Sequence, residues 1–178
     1  MAIRPVLRMG HPLLQQVAAP IVSFGSRELR ELVQDMDDTM RALNGAGIAA
    51  PQVGVSHRVV IFEVTHNPRY PEAEAVPYTV LVNPQLEPID DVVEDGWEGC
   101  LSVPGLRGLV PRFRRVRYTG FDVDGRPIDR TVSGFHARVV QHEVDHLDGI
   151  LYPMRIIDLR NFGFEDVLFA DASALPPD

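Results

Sequence analysis

The run Gln141-His-Glu-Val-Asp-His146 sets two histidines four residues apart, with a glutamate directly after the first. That spacing has a chemical use on a helix, where residues i and i+4 lie one turn apart on one face. The imidazoles of His142 and His146 can then grip a single metal ion. Glu143 sits beside them, close enough to move protons to and from a coordinated water. Phe135, Val139, Val140 and Val144 make the same stretch apolar enough to be buried among strands. A helix is therefore predicted from about Ser133 to Leu147, ending near Gly149.

A second helix is expected over residues 26–43. Leu29, Leu32, Val33, Met36, Met40 and Leu43 recur at three- and four-residue steps, forming one apolar stripe for the core. Ser26 is its predicted N-cap and Asn44-Gly45 its stop. Strands are expected at Arg58–Val64, Tyr78–Leu86, Arg115–Val123 and Pro127–Val132, with Asp124-Gly125 turning the last pair into a hairpin. Residues 65–77, with three prolines, read as a surface loop. From Arg160 onward Phe162, Phe164, Val167 and Leu168 can dock a short helix, and the closing Ala-Leu-Pro-Pro-Asp is expected to fray. No repeat or linker divides the 178 residues, so one α+β catalytic domain over residues 1–178 is expected.

Charge and cysteine count remove several classes. The net charge is −8 and all 17 basic residues are arginine, which disfavours a free-standing nucleic-acid binder. Arg112, Arg114, Arg115 and Arg117 are expected on the solvent face of a strand. No stretch reaches the roughly 18 apolar residues of a membrane helix, and no signal-peptide core follows the start. The first 26 residues carry arginines and no acid, as transit peptides do, but Pro5, Pro12 and Pro20 argue against the amphipathic helix those form. One cysteine excludes an internal disulfide and points to a reducing compartment.

A catalytic divalent site takes three protein ligands and keeps a position for water. Cys100, in the turn-rich run Trp-Glu-Gly-Cys-Leu-Ser, is the leading third ligand, although a lone cysteine is more often a small buried hydrophobe. Glu165 is the serious rival, because one class of H-E-x-x-H peptidase takes a downstream glutamate. His11, His57, His66 and His136 are weaker alternatives. Gly45-Ala-Gly-Ile-Ala-Ala-Pro-Gln52 joins small residues, whose backbone can pair with a bound peptide, to an amide able to donate to an oxygen gaining charge.

Three segments, 45–52, Glu-Gly-Cys-Leu-Ser at 98–102 and Gln-His-Glu-Val-Asp-His-Leu-Asp-Gly at 141–149, together closely resemble the signature motifs of the peptide deformylase family. The resemblance runs from Gly10-His11-Pro12 to Leu151-Tyr152. It implies Cys100, His142 and His146 as metal ligands, with Fe2+ the native ion and Zn2+, Ni2+ or Co2+ possible in preparations. It implies Glu143 as general acid and base, and the Gln52 side chain and Leu101 backbone N–H as oxyanion donors. Gly45, Ala46 and Gly47 become the substrate-pairing edge, and Arg107 a substrate contact. The implied fold is a set of antiparallel strands wrapped around the helix that carries the two histidines.

The implied substrate is the formylmethionyl end of a nascent peptide, hydrolysed to formate and a free amino terminus. A bacterial cytoplasmic setting is expected before an organellar one. Ribosome proximity is expected to be transient, with no stable nucleic-acid contact and no membrane. Ala46 stands where many members carry a larger aliphatic residue, so a shallower wall is expected there. Glu98, Gln141, Asp145 and Asp148 are expected to support the ligands, and Trp97 and Tyr152 to pack. A peptidase using His142, His146 and Glu165 would leave both the cysteine motif and the 45–52 loop without a job.

Overall fold

Ser26 starts the first helix as its spacing predicts: its hydroxyl accepts the Leu29 N–H at 3.2 Å, capping α1 (Arg27–Ala42). In the computed structural model, which describes residues 2–64 and 75–170, Leu29, Leu32, Met36 and Met40 of α1 are buried. The helix stops where Asn44 turns left-handed and Gly45 N–H reaches back to Met40 O at 2.9 Å.

One five-stranded antiparallel sheet follows, in the order β1 (Gly47–Ala49), β2 (Val59–Val64), β3 (Val76–Pro88), β6 (Arg115–Phe121), β7 (Pro127–Ser133). A three-stranded sheet runs β4 (Val93–Cys100), β5 (Val103–Phe113), β8 (Phe162–Phe164). Strand β2 shows why its sequence is continuously apolar rather than alternating. Val60, Phe62 and Val64 face the core under the second helix, while Val59 and Ile61 face α1.

That second helix, α2 (Gly134–Leu147), is the centre of the molecule. Every residue from Val139 to Leu147 is buried, including five polar ones. It packs against β1, β2 and β3 on one side and β5 on the other, so antiparallel strands wrap the helix that carries both histidines. Gly149, left-handed at φ 73°, ends it; a Cβ there would lie 2.7 Å from the Gln15 backbone. The N-terminal segment ties the site loops together, Leu7 N–H donating to Gln52 O and Met9 N–H to Ser102 O, both at 2.8 Å.

Several expectations need correction. Strand β3 begins at Val76, so Pro77 belongs to it rather than to the 65–77 loop, whose residues 65–74 lie outside the described ones. The closing Ala-Leu-Pro-Pro-Asp also lies outside them. Arg112 is not on a solvent face: it is buried on β5, while Arg115 and Arg117 stand partly exposed on β6, so the four arginines share no strand face. Strands β4 and β5 were not foreseen. Their Asp, Glu, Gly and Pro content reads as loop, and it is strand pairing, Val93 with Phe113 through Glu98 with Gly108 and β5 with β8, that holds them extended. The tail does dock, as β8 and the single-turn α3 (Glu165–Leu168).

Candidate metal centre

His142 and His146 meet edge to face on α2, with ring centroids 5.1 Å apart and planes at 83°. The end of β4 brings Cys100 to them from 42 residues upstream in sequence, and its Sγ lies 3.4 Å from His146 Nε2. Ligating atoms of Cys100, His142 and His146 all fall within 4.8 Å of one another, the one such group of metal-binding side chains among the described residues. Atoms at usual zinc-type bond lengths from a tetrahedral ion sit roughly 3.3–3.8 Å apart, so a small divalent ion fits with little adjustment.

The electrostatics also fit. Burial pushes His146 well below the ordinary histidine range, which leaves a neutral imidazole with a lone pair to donate. Burial acts the same way on His142, but its hydrogen bonds with Cys100 and Glu98 outweigh that and favour positive charge at this ring. A thiol and a carboxylate flanking an imidazole favour a bound cation for the same reason they favour a proton.

Sequence alone does not say which acid bonds a candidate ligand histidine; in the structure Glu98 is the acid on His142. Its Oε2 meets His142 Nδ1 at 2.8 Å, leaving Nε2 for the ion. Burial pushes Glu98 upward in pKa; His142 and the Arg112 guanidinium more than reverse this and hold it well below the carboxylate range. Arg112 grips both Glu98 oxygens at 2.9 and 3.0 Å and passes on to Asp145, which Arg155 also clamps. Gln141 instead bridges to the Phe113 backbone, and Asp148 pairs with Arg58.

Glu143 lies buried beside these candidate ligands with its Oε2 unpaired among the described residues. Burial pushes its carboxyl up to about 7. The carboxylate fills the space where a side chain on residue 47 would go: a Cβ on Gly47 would come 2.5 Å from Glu143 Oε1. Gln52 has a fixed orientation, since Oε1 accepts the Ala49 N–H at 2.8 Å. Nε2 therefore donates to Ser102 Oγ at 3.0 Å and faces Cys100 Sγ at 3.4 Å.

A cleft opens over these groups. Gly45, Ala46, Gly47, Gln52, Leu101 and Glu143 line it together with Cys100 and His142. Arg107 does not. Its side chain is buried and pairs with Glu165 at 2.7 Å. That pair also places Glu165 away from the histidines, so the peptidase arrangement is not formed. His136 packs against Phe62 and Tyr118, and His11 caps a turn; His66 lies outside the described residues.

One lining residue was not singled out from the sequence: Arg138 reaches the cleft from α2, bonded to Glu98 at 3.0 Å and to the Val110 carbonyl at 2.8 Å. Trp97 packs against Phe169 as expected and also lines the cleft. Arg138 stands four residues before His142, so the helical stripe that flags the histidines also contained it. Tyr152 is buried as expected and stacks on His142.

A buried acid beside a Cys-His-His cluster, at the floor of a cleft on a strand-wrapped helix, defines a metal-dependent hydrolase. Comparison with known proteins narrows the class. The family model for polypeptide deformylase matches residues 3–162. Peptide deformylase 1 of Nitrosomonas europaea is 66% identical over 94% of this chain and 95% of its own length. Peptide deformylase 2 of Ralstonia nicotianae is 60% identical over 97% of each. Among solved structures, the Met-Ala-Ser-bound class I type b peptide deformylase of Acinetobacter baumannii is 43% identical. It superposes with a TM-score of 0.84 over 87% of this chain and 99% of that one. The chain belongs to the peptide deformylase family, hydrolases that remove the formyl group from N-terminal methionine.

Proposed function

We propose that Cys100, His142 and His146 hold one divalent ion, Fe2+ natively, with Zn2+, Ni2+ or Co2+ able to replace it in preparations. The observation that supports this is the convergence of one sulfur and two imidazoles within 4.8 Å, with a buried carboxylate alongside. When bound, the ion acts as a Lewis acid that lowers the pKa of a coordinated water from about 15.7 toward neutrality.

The rest of the chemistry belongs to the chain. Glu143 takes the proton as the water attacks the formyl carbon, then returns it to the departing amine; a carboxyl near 7 suits transfer in both directions. Gln52 Nε2 and the Leu101 N–H donate to the carbonyl oxygen as it gains charge. The Gly45–Gly47 segment pairs with the substrate backbone, Ala46 making the wall beside it; the position of β1 at one end of its sheet and the cleft lining support this. The effect of Arg107 on substrate is indirect, carried by Gly99 of the cleft.

The substrate is a formylated nascent chain, met in the bacterial cytoplasm, with ribosome proximity transient and without stable nucleic-acid or membrane binding. The net charge of −8 supports this, and no helix among the described residues is long and apolar enough to cross a membrane. The whole chain acts as one catalytic domain.

Gln52→Ala is expected to lower kcat about 10²–10³-fold, matching the roughly 2.7–4 kcal/mol carried by one oxyanion donor. Steady-state kinetics with a melting curve checks this, a loss explained wholly by unfolding being the adverse result. The function itself is tested by formate release from a formyl-Met peptide, using anaerobically purified protein with metal measured alongside. One metal per chain and rapid release are expected, with lower activity after aerobic handling because a thiolate on iron is open to oxidation. Metal-loaded protein that leaves the formyl group in place would overturn the reading.

A further inference from the structure

We propose that the segment Phe162–Phe169 is a positioning element for the substrate cleft, acting on the metal-ligand strand β4 through two contacts. The segment lies at and beyond residue 162, where the match to the family model ends. The proposal rests on the deformylase reading and adds a control of substrate binding to it.

The first contact runs through charge. Strand β8 pairs with β5, setting Gly163 opposite Arg107. One residue past β8, Glu165 holds the Arg107 guanidinium at 2.7 Å. That guanidinium lies flat on β4 at Gly99: a Cβ there would meet Nη1 at 2.7 Å and Cζ at 2.9 Å. Gly99 lines the cleft and directly precedes the ligand Cys100. The second contact is aromatic. Phe169 packs edge-on against Trp97, with centroids 5.2 Å apart and planes at 81°.

Trp97 and Gly99 are the two residues flanking Glu98, which orients His142. The tail thus bears on the cleft wall on either side of that acid. Glu98 is itself held by Arg112 and Arg138, which belong to β5 and α2. Loosening the tail should therefore move the wall that receives the substrate and leave the ligand geometry in place.

Trp97 is the only tryptophan of the chain, so its fluorescence reports on that wall directly. With formyl-Met-Ala-Ser as substrate, Phe169→Ala is expected to raise KM about three- to tenfold, with kcat changed less than about twofold. Trp97 emission should shift to the red while metal content stays at the wild-type level. Phe169→Tyr, which keeps the ring, should restore both KM and emission. Glu165→Gln keeps the side-chain size and is expected to raise KM about two- to fivefold; it carries the comparison if Phe169→Ala does not fold. Unchanged KM in both variants overturns the proposal, as does a raised KM with unshifted Trp97 emission. A wild-type chain that releases no formate would instead defeat the deformylase reading, so the two failures are separable.

Discussion

Glu143→Ala is expected to keep one metal ion per chain while formate release falls by about 10²–10⁴-fold, the usual contribution of a positioned general acid and base. The separation of binding from turnover follows from geometry. Glu143 is not in the candidate metal-binding group of Cys100, His142 and His146. It is nevertheless buried with an oxygen that no described group satisfies. A buried carboxyl in that condition costs stability and is retained for chemistry. The variant should therefore melt at or above the wild-type temperature. Parallel metal analysis, calorimetry and kinetics make the check, and near-wild-type turnover in the metal-loaded variant would remove Glu143 from its role.

Glu98→Ala is expected to be the most damaging change to the fold near the site. Glu98 is buried and meets three partners at once: Arg112 through both oxygens, Arg138 at 3.0 Å, and His142 at 2.8 Å. Removing one side of a buried ion pair typically costs about 3–5 kcal/mol, because the charge left behind is uncompensated. Here Arg112 would retain, among the described residues, only Asp145 as an ion-pair partner. His142 would also lose the group that fixes its tautomer, which commonly weakens metal affinity about 10–100-fold. Denaturant unfolding and titration against a chelator read the two effects separately. Glu98→Gln preserves the shape without the charge and should fall between alanine and wild type. An alanine variant as stable and as tightly metallated as wild type would show that the network around Glu98 does not support the site.

Periodicity made both long helices legible, down to the Ser26 cap and the Gly149 stop, because each buries a stripe or a whole surface whose spacing is local. Strands rich in branched residues were legible for the same reason. β4 and β5 were not. Val-Glu-Asp-Gly-Trp-Glu-Gly-Cys has no strand pattern of its own, since its glycines make room for guanidiniums that arrive from elsewhere. Arg138 occupies the space beside Gly96 as Arg107 does beside Gly99. That also explains the misreading of Arg112: a charge is expected outside unless its partners are known, and Glu98 and Asp145 are distant in sequence. Within the site, motif spacing pointed to Cys100, His142, Glu143, His146 and Gln52, which the fold brings together around one cleft. The choice of Glu98 as the acid behind His142 required the strand pairing.

X-ray absorption at the metal edge of the iron- or zinc-loaded protein tests the centre most directly. One sulfur scatterer at about 2.3 Å and two nitrogen scatterers at about 2.0–2.1 Å are expected, with the sulfur absent in Cys100→Ala. A wild-type spectrum of nitrogen and oxygen alone, with full metal content, would contradict the account.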